Sequence, residues 1–315
     1  MRGGMGSQVT EIFNKSGIFT PGESKHEAKE LAREGGAATW ADMGRELGIY
    51  SYNTAETYKD VWHQFGDYAK FEMGLKDIEK TTENHVKAYL ESRIAQGIAY
   101  STYQKEAAAL GKLENALNMY SARFNRGNDY NFRPAIRECG TEARNELEKS
   151  DPHRAYRDPE KLIASISNEN HKIAASVQYE GGARIHEASL IKNEQLGGFG
   201  PDKITGECVG QIRIEGKGGK ERTLAVSTET YRNIEKVIER DGEYRIDKND
   251  YRHSLREAAE KVGQEYNGSH GLRWSYAQER MEEAQENGRT YEQALVEVSH
   301  EMGHERADIT EHYLR

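Results

Sequence analysis

Residues 269–315 read SHGLRWSYAQERMEEAQENGRTYEQALVEVSHEMGHERADITEHYLR, and four of them decide how the chain is read: His270, Arg273, His304 and Tyr313. His270 and Arg273 are three apart, so a helix beginning near Ser269 puts both on one face. An imidazole and a guanidinium placed in this way suit a single anionic group. Gly303-His304 falls between two helical patterns, and Tyr313 follows nine positions on (313 − 304), near the end of the sequence.

HEMGH, residues 300–304, also fits the His-Glu-x-x-His zinc pattern. That pattern needs an unbroken helix to turn both histidines toward one metal. Gly303 interrupts it, and the extended version would want a glycine and a third histidine where Ala307 and Thr310 stand. His312 and Glu311 remain as improvised third ligands, so a zinc hydrolase is a remote alternative.

Two upstream segments add to the set. GGARIHEASLI carries Arg184 and Glu187, and the preceding Gly181-Gly182 suits a helix start whose free N–H groups favour an anion. QIRIEGKGGKERTLAVS holds Lys217 in a glycine-rich turn between two alternating, strand-like runs. A phosphate loop would need Gly-Lys followed by Ser or Thr and then a helix. Gly219-Lys220 is followed instead by Glu221 and a strand pattern. Taken singly, each group has a plainer reading: an i,i+3 ion pair at Arg184–Glu187, a hairpin with solvated lysines, a surface pair at His270 and Arg273, and a packed aromatic at Tyr313.

Arg, Lys, His-x-x-Arg, Gly-His and Tyr, in this order, resemble the tyrosine recombinases, the phage integrase family. The resemblance runs from about Trp40 to Tyr313. It implies a site-specific DNA recombinase that cleaves and rejoins DNA through a 3′-phosphotyrosyl link. Tyr313 would be the nucleophile, and Arg184, Arg273 and His304 would bind the scissile phosphate. Lys217 would protonate the leaving 5′ oxygen, with Lys220 as fallback, and His270 would act as base. No metal or cofactor is implied, because always-charged guanidinium forks supply the electrostatic stabilisation. The partners implied are double-stranded DNA and a homo-tetramer on paired sites. A type IB topoisomerase-like enzyme and a catalytically silent DNA-binding relative are the alternatives. Relative to the family, the interval from Arg273 to His304 is long, with MEEAQENGRTY as the insertion.

The rest of the chain is predicted mainly α with one small antiparallel β-sheet (α+β). Residues 1–37 read as an N-terminal arm, with Ser24 capping a short helix. Residues 38–148 read as a helical block, in which Tyr58, Trp62, Phe65 and Tyr68 form an amphipathic core stripe, and the resemblance implies that this block is the family's helical core DNA-binding domain. Lys105 and Lys112 lie off the apolar face of a later helix and are candidate phosphate contacts, as are Arg213, Lys220 and Arg222 on the hairpin. Residues 149–158 read as a linker, and 159–315 as the catalytic domain, opened by Asp158-Pro159 as N-cap and first-turn proline.

Composition bounds the rest. In 315 residues, 36% are apolar and 31% charged, with a net charge of −9. An acidic total runs against the basic balance of most DNA binders. Binding must then rest on a limited basic face and fall steeply with salt. The short remainder after Tyr313 adds the expectation of a monomer without DNA. No stretch suits a membrane span or a signal peptide, which points to a cytoplasmic protein. The two cysteines, Cys139 and Cys208, read as free thiols.

Overall fold

The computed structural model describes residues 1–149, 153–216, 221–304 and 306–314. They fall into two compact units that divide at residues 151/152.

The first unit is helical: α1 (Met5–Ser16), α2 (Lys25–Glu34), α3 (Trp40–Glu46), α4 (Tyr52–Met73), α5 (Glu83–Ala95), α6 (Tyr100–Arg123) and α7 (Arg133–Glu146). The stripe on α4 is core: Trp62 and Phe65 are fully buried, with Tyr58 and Tyr68 half-buried against them. The Trp62 indole N–H donates to the Ala109 carbonyl across to α6 at 2.7 Å, which satisfies the one polar atom the stripe carries inward. Ser24 accepts from the Glu27 N–H at 3.3 Å and caps α2. The segment read as an arm contributes to this core. Met5, Val9, Ile12 and Phe13 of α1 lie in one cluster with Trp62 and Phe65. Their i, i+4, i+7, i+8 spacing is a helical apolar stripe. Gly66 permits the approach, since a Cβ there would stand 2.7 Å from Met5 Cγ.

The second unit holds α8 (Pro159–Ala164), α9 (Glu169–Glu180), α10 (Ile185–Ala188), β1 (Leu190–Lys192), β2 (Leu196–Pro201), β3 (Cys208–Glu215), β4 (Glu221–Val226), α11 (Thr228–Asp241), β5 (Glu243–Arg245), α12 (Lys248–Lys261), α13 (Ser269–Glu286), α14 (Tyr291–Glu301) and α15 (Ala307–Glu311). A 3₁₀ turn, His312–Leu314, follows. Asp158 accepts from the Lys161 N–H at 3.0 Å with Pro159 in the first turn. The hairpin β3–β4 pairs from Gly210↔Val226 to Glu215↔Glu221. It gains a third strand, β2, in the order β2-β3-β4, and β1 pairs separately with β5. Two small antiparallel sheets thus stand among the described residues where the alternation predicted one. β2 reads LGGFGP, whose glycines and proline hide a strand from composition. No helix among the described residues is long and apolar enough to cross a membrane.

Candidate active site

The site begins where α9 stops. Gly182 has φ +60°, and a Cβ there would fall 2.5 Å from the Tyr276 ring, so both backbone and space demand glycine. Arg184 then enters α10 as its N-cap residue. One turn on, Glu187 accepts from the Arg184 backbone N–H (2.6 Å) and from Arg184 Nη1 (3.2 Å). The same carboxylate takes a bidentate fork from Arg222, Nη1 at 3.0 Å and Nη2 at 2.7 Å. Burial alone would raise the Glu187 carboxyl, but the hydrogen bonds from Arg222 and the Arg184 N–H, with their charges, hold it below its ordinary value. Glu187 and Arg222 expose only 7% and 9% of their side chains, whereas Arg184 exposes 30%. One carboxylate therefore serves two guanidiniums, so the three groups together keep a net positive charge, and Arg184 is the more exposed of the two arginines.

Arg273 sits on α13 with no exposed surface. Its Nη1 donates to the Gly182 carbonyl. Its Nη2 donates to the Met302 carbonyl at 2.6 Å and lies 3.0 Å from His304 Nε2. Burial first, and then the charge of Arg184, lower its guanidinium to about 10. Buried N–H groups are seldom left unsatisfied in folded proteins. Arg273 and Arg222 each keep one buried N–H, at Nε, without a partner among the described residues.

His304 is placed by the end of α14. Gly303 adopts φ +69°. The His304 N–H bonds back to the Ser299 carbonyl at 2.8 Å and the Gly303 N–H to the His300 carbonyl at 2.9 Å. These two bonds form a Schellman C-cap, which turns His304 off the helix and inward. A Cβ on Gly303 would also meet Arg222 Nη1 at 2.9 Å. The helix that a His-Glu-x-x-His metal site requires ends at Glu301, and His300 stays exposed on it. Among the described residues no group of three His, Cys, Asp or Glu side chains is disposed to hold a metal ion.

Tyr313 closes the set from the 3₁₀ turn. It is buried, 8% exposed, with its hydroxyl 3.1 Å from His270 Nε2. Its ring packs against Trp274 (5.1 Å between centroids), His304 (5.4 Å) and His270 (5.5 Å), and the Arg273 guanidinium carbon stands 5.9 Å from its centroid. Gln278 donates to the Tyr313 carbonyl at 3.0 Å and ties the turn to α13. Burial, then Arg273, Arg154 and Arg184, push His270 down to about 4. Burial with Arg273, Arg184 and Arg222 pushes His304 to about 3. Both imidazoles are therefore neutral at pH 7, each able to accept at one nitrogen and donate at the other.

Arg184, His270, Arg273, His304 and Tyr313 thus converge. Lys217 and Lys220 lie outside the described residues. Lys105 and Arg213 are exposed. Two candidate DNA contacts have other employment. Lys112 donates its ammonium to the Gly44 carbonyl at 2.8 Å and to the Leu47 carbonyl, at the C-terminal end of α3. An ammonium spent there is not presented to a phosphate, and burial lowers it to about 8. Arg222 faces inward because β4 alternates, which puts it on the side of Leu224 and Val226. Its guanidinium is committed to Glu187. Sequence reasoning missed Thr310 and Ser299, whose hydroxyls back His304. Nothing local marks them, since they meet only when α14 and α15 pack.

No family model matches the chain, and no curated protein matches it. Its fold is that of the tyrosine recombinases. The XerH site-specific recombinase bound to palindromic difH substrate, in a post-cleavage complex, matches with a TM-score of 0.60 at 17% identity over 99% of this chain and 91% of that one. The Tn1549 transposon integrase in complex with transposon right end DNA matches with a TM-score of 0.57 at 13% identity, over 98% of this chain and 95% of the other.

Proposed function

We propose that the protein is a site-specific DNA recombinase of the integrase type, with double-stranded DNA as substrate and Tyr313 as nucleophile. One observation carries this reading: the Tyr313 hydroxyl meets His270 Nε2 at 3.1 Å while its ring lies against Arg273 and His304, on a tyrosine-recombinase fold. A phenol attacks poorly until its proton is taken. His270 takes that proton as the phenolic oxygen bonds to phosphorus, and the 5′ oxygen leaves with a proton from Lys217. The products are a 3′-phosphotyrosine and a 5′-hydroxyl, and reversal rejoins a strand without ATP. Charge gathering on the non-bridging oxygens meets Arg184 and Arg273. An incoming phosphate also offsets the arginine field that depresses His270 and so raises its basicity when it is needed. The recombining species is a tetramer on paired sites.

The test is a suicide substrate, made from DNA flanking the protein's own gene, that loses its 5′-hydroxyl fragment after cleavage. Wild type should trap as a 3′-phosphate adduct mapping to Tyr313, and Tyr313→Phe should bind DNA but form none. An adduct that survives Tyr313→Phe, or maps to Tyr291, would move the active site. Wild-type binding without any adduct would favour a silent DNA-binding relative. Relaxation of supercoiled DNA lacking paired sites would favour a topoisomerase.

A further inference from the structure

Behind His304 lies a run of buried hydroxyls that the reaction itself does not call on. His304 Nδ1 is 2.8 Å from Thr310 Oγ1. Thr310 Oγ1 is 2.7 Å from Ser299 Oγ, and Ser299 Oγ is 2.6 Å from the Leu295 carbonyl. Thr310 is fully buried and Ser299 nearly so, so no water competes for these groups. A chain of this kind has only a few consistent proton arrangements, and its two ends limit them.

At one end, Arg273 Nη2 lies 3.0 Å from His304 Nε2. A guanidinium only donates, so Nε2 must accept and the ring proton must sit on Nδ1. At the other end, the Leu295 carbonyl only accepts, which turns the Ser299 hydroxyl toward it. The single assignment satisfying every member runs His304 Nδ1–H to Thr310, the Thr310 hydroxyl to Ser299, and the Ser299 hydroxyl to Leu295. This is the tautomer that a free imidazole favours less in water.

We propose that Thr310, backed by Ser299, is a positioning residue that holds His304 in its Nδ1-protonated tautomer and aims Nε2 into the phosphate site. The lock has a consequence. In the DNA-free protein, Nε2 is an acceptor occupied by Arg273 and offers no proton to a phosphate oxygen. Donation from Nε2 requires a second proton on the ring, and Thr310 can continue to accept from Nδ1 in that imidazolium. The charged groups that bear on this ring are Arg273, Arg184 and Arg222, with neutral His270 beside them. All three arginines oppose a second proton, and an arriving phosphate opposes them. Thr310 also lies three residues before Tyr313, so the contact that sets the histidine tautomer anchors the segment carrying the tyrosine as well.

The first readout needs no activity and is independent of the function proposed above. Two-bond ¹H–¹⁵N correlation on histidine-labelled, DNA-free protein should show His304 protonated at Nδ1 and bare at Nε2. In Thr310→Val, which keeps the shape and removes the hydroxyl, Nδ1–H loses its acceptor, so the ring should swing away from Arg273 and the signature should be lost toward Nε2–H. A wild-type His304 protonated at Nε2 would overturn the proposal. The second readout rests on the recombinase reading and is cleavage of the suicide substrate. Thr310→Val should cleave about tenfold to a hundredfold more slowly, the scale of a misplaced catalytic group, with DNA binding within about twofold. Thr310→Ser should recover most of the rate. If Thr310→Ser is as slow as Thr310→Val, the methyl matters rather than the hydroxyl, and the proposal fails. If Thr310→Val does not fold, wild-type spectroscopy and Ser299→Ala, which should weaken the same signature, still decide it. Absence of cleavage in wild type would count against the recombinase reading and leave the His304 tautomer to be decided by the spectra alone.

Discussion

Glu187→Gln changes one charge and almost no volume. In the native protein the carboxylate is 7% exposed, takes a bidentate fork from Arg222, and accepts from Arg184. Glutamine keeps one acceptor and turns an amide donor toward a guanidinium that has only donors. Arg222 becomes a buried, uncompensated cation, and breaking a buried pair in this way costs about 3–5 kcal/mol. For a unit of this size each kcal/mol moves the midpoint by roughly 2–4 °C, so the loss should be on the order of 6–20 °C. Calorimetry on the full chain, at neutral pH, should show the shift in the transition of residues 153–315 alone. Because the native Glu187 carboxyl is held below its ordinary value of 4.5, its contribution is present above that value and is lost as pH falls through the native one. The gap between wild type and Glu187→Gln should therefore narrow in acid. Replacing both partners, Glu187→Leu with Arg222→Met, should recover much of the loss. A single Gln variant within about 1 kcal/mol of wild type would refute the idea that this pair holds α10 to the sheet.

Gly303→Ala forces a Cβ onto a φ of +69° and to 2.9 Å from Arg222 Nη1; it should cost about 1–3 kcal/mol by denaturant titration and displace His304. His270 and His304 are lowered to about 4 and about 3, so between those values and the unfolded value near 6.5 the unfolded chain binds more protons. Stability should therefore fall as pH drops through that window, and His304→Gln should flatten the slope of unfolding free energy against pH. Lys217→Ala should cleave ordinary DNA slowly and recover on DNA with a 5′-bridging sulfur, which leaves without a proton; equal impairment on both substrates would remove Lys217 from the acid role, and rescue in Lys220→Ala would transfer it there.

Much of the fold was written locally. The Tyr58–Tyr68 stripe, the Asp158-Pro159 helix start, the β3–β4 alternation and the His270/Arg273 helix face each depend on residues a few positions apart. Period and capping are short-range properties, so they survive without tertiary context. The order Arg184, Lys217, His270, Arg273, His304, Tyr313 was legible as a resemblance for the same reason. Lys112 and Arg222, offered as DNA contacts, have partners within the protein, because an exposed-looking cation takes its role from neighbours that sequence does not place beside it. Those partners were the α3 carbonyls, 65 and 68 positions away, and Glu187, 35 positions away.

The sequence alone determined a helix-rich chain with a small hairpin and the residue types of an anion-handling site. Tertiary packing decided how those residues act. It set Glu187 between two arginines and buried Arg273 under the Tyr313 ring. It also neutralised both imidazoles in an arginine field and closed the Thr310–Ser299 relay behind His304. Each of these depends on desolvation and on distances across elements. Spacing along a chain does not determine them, because charges and hydrogen-bond polarity respond to what surrounds a side chain once water has been excluded.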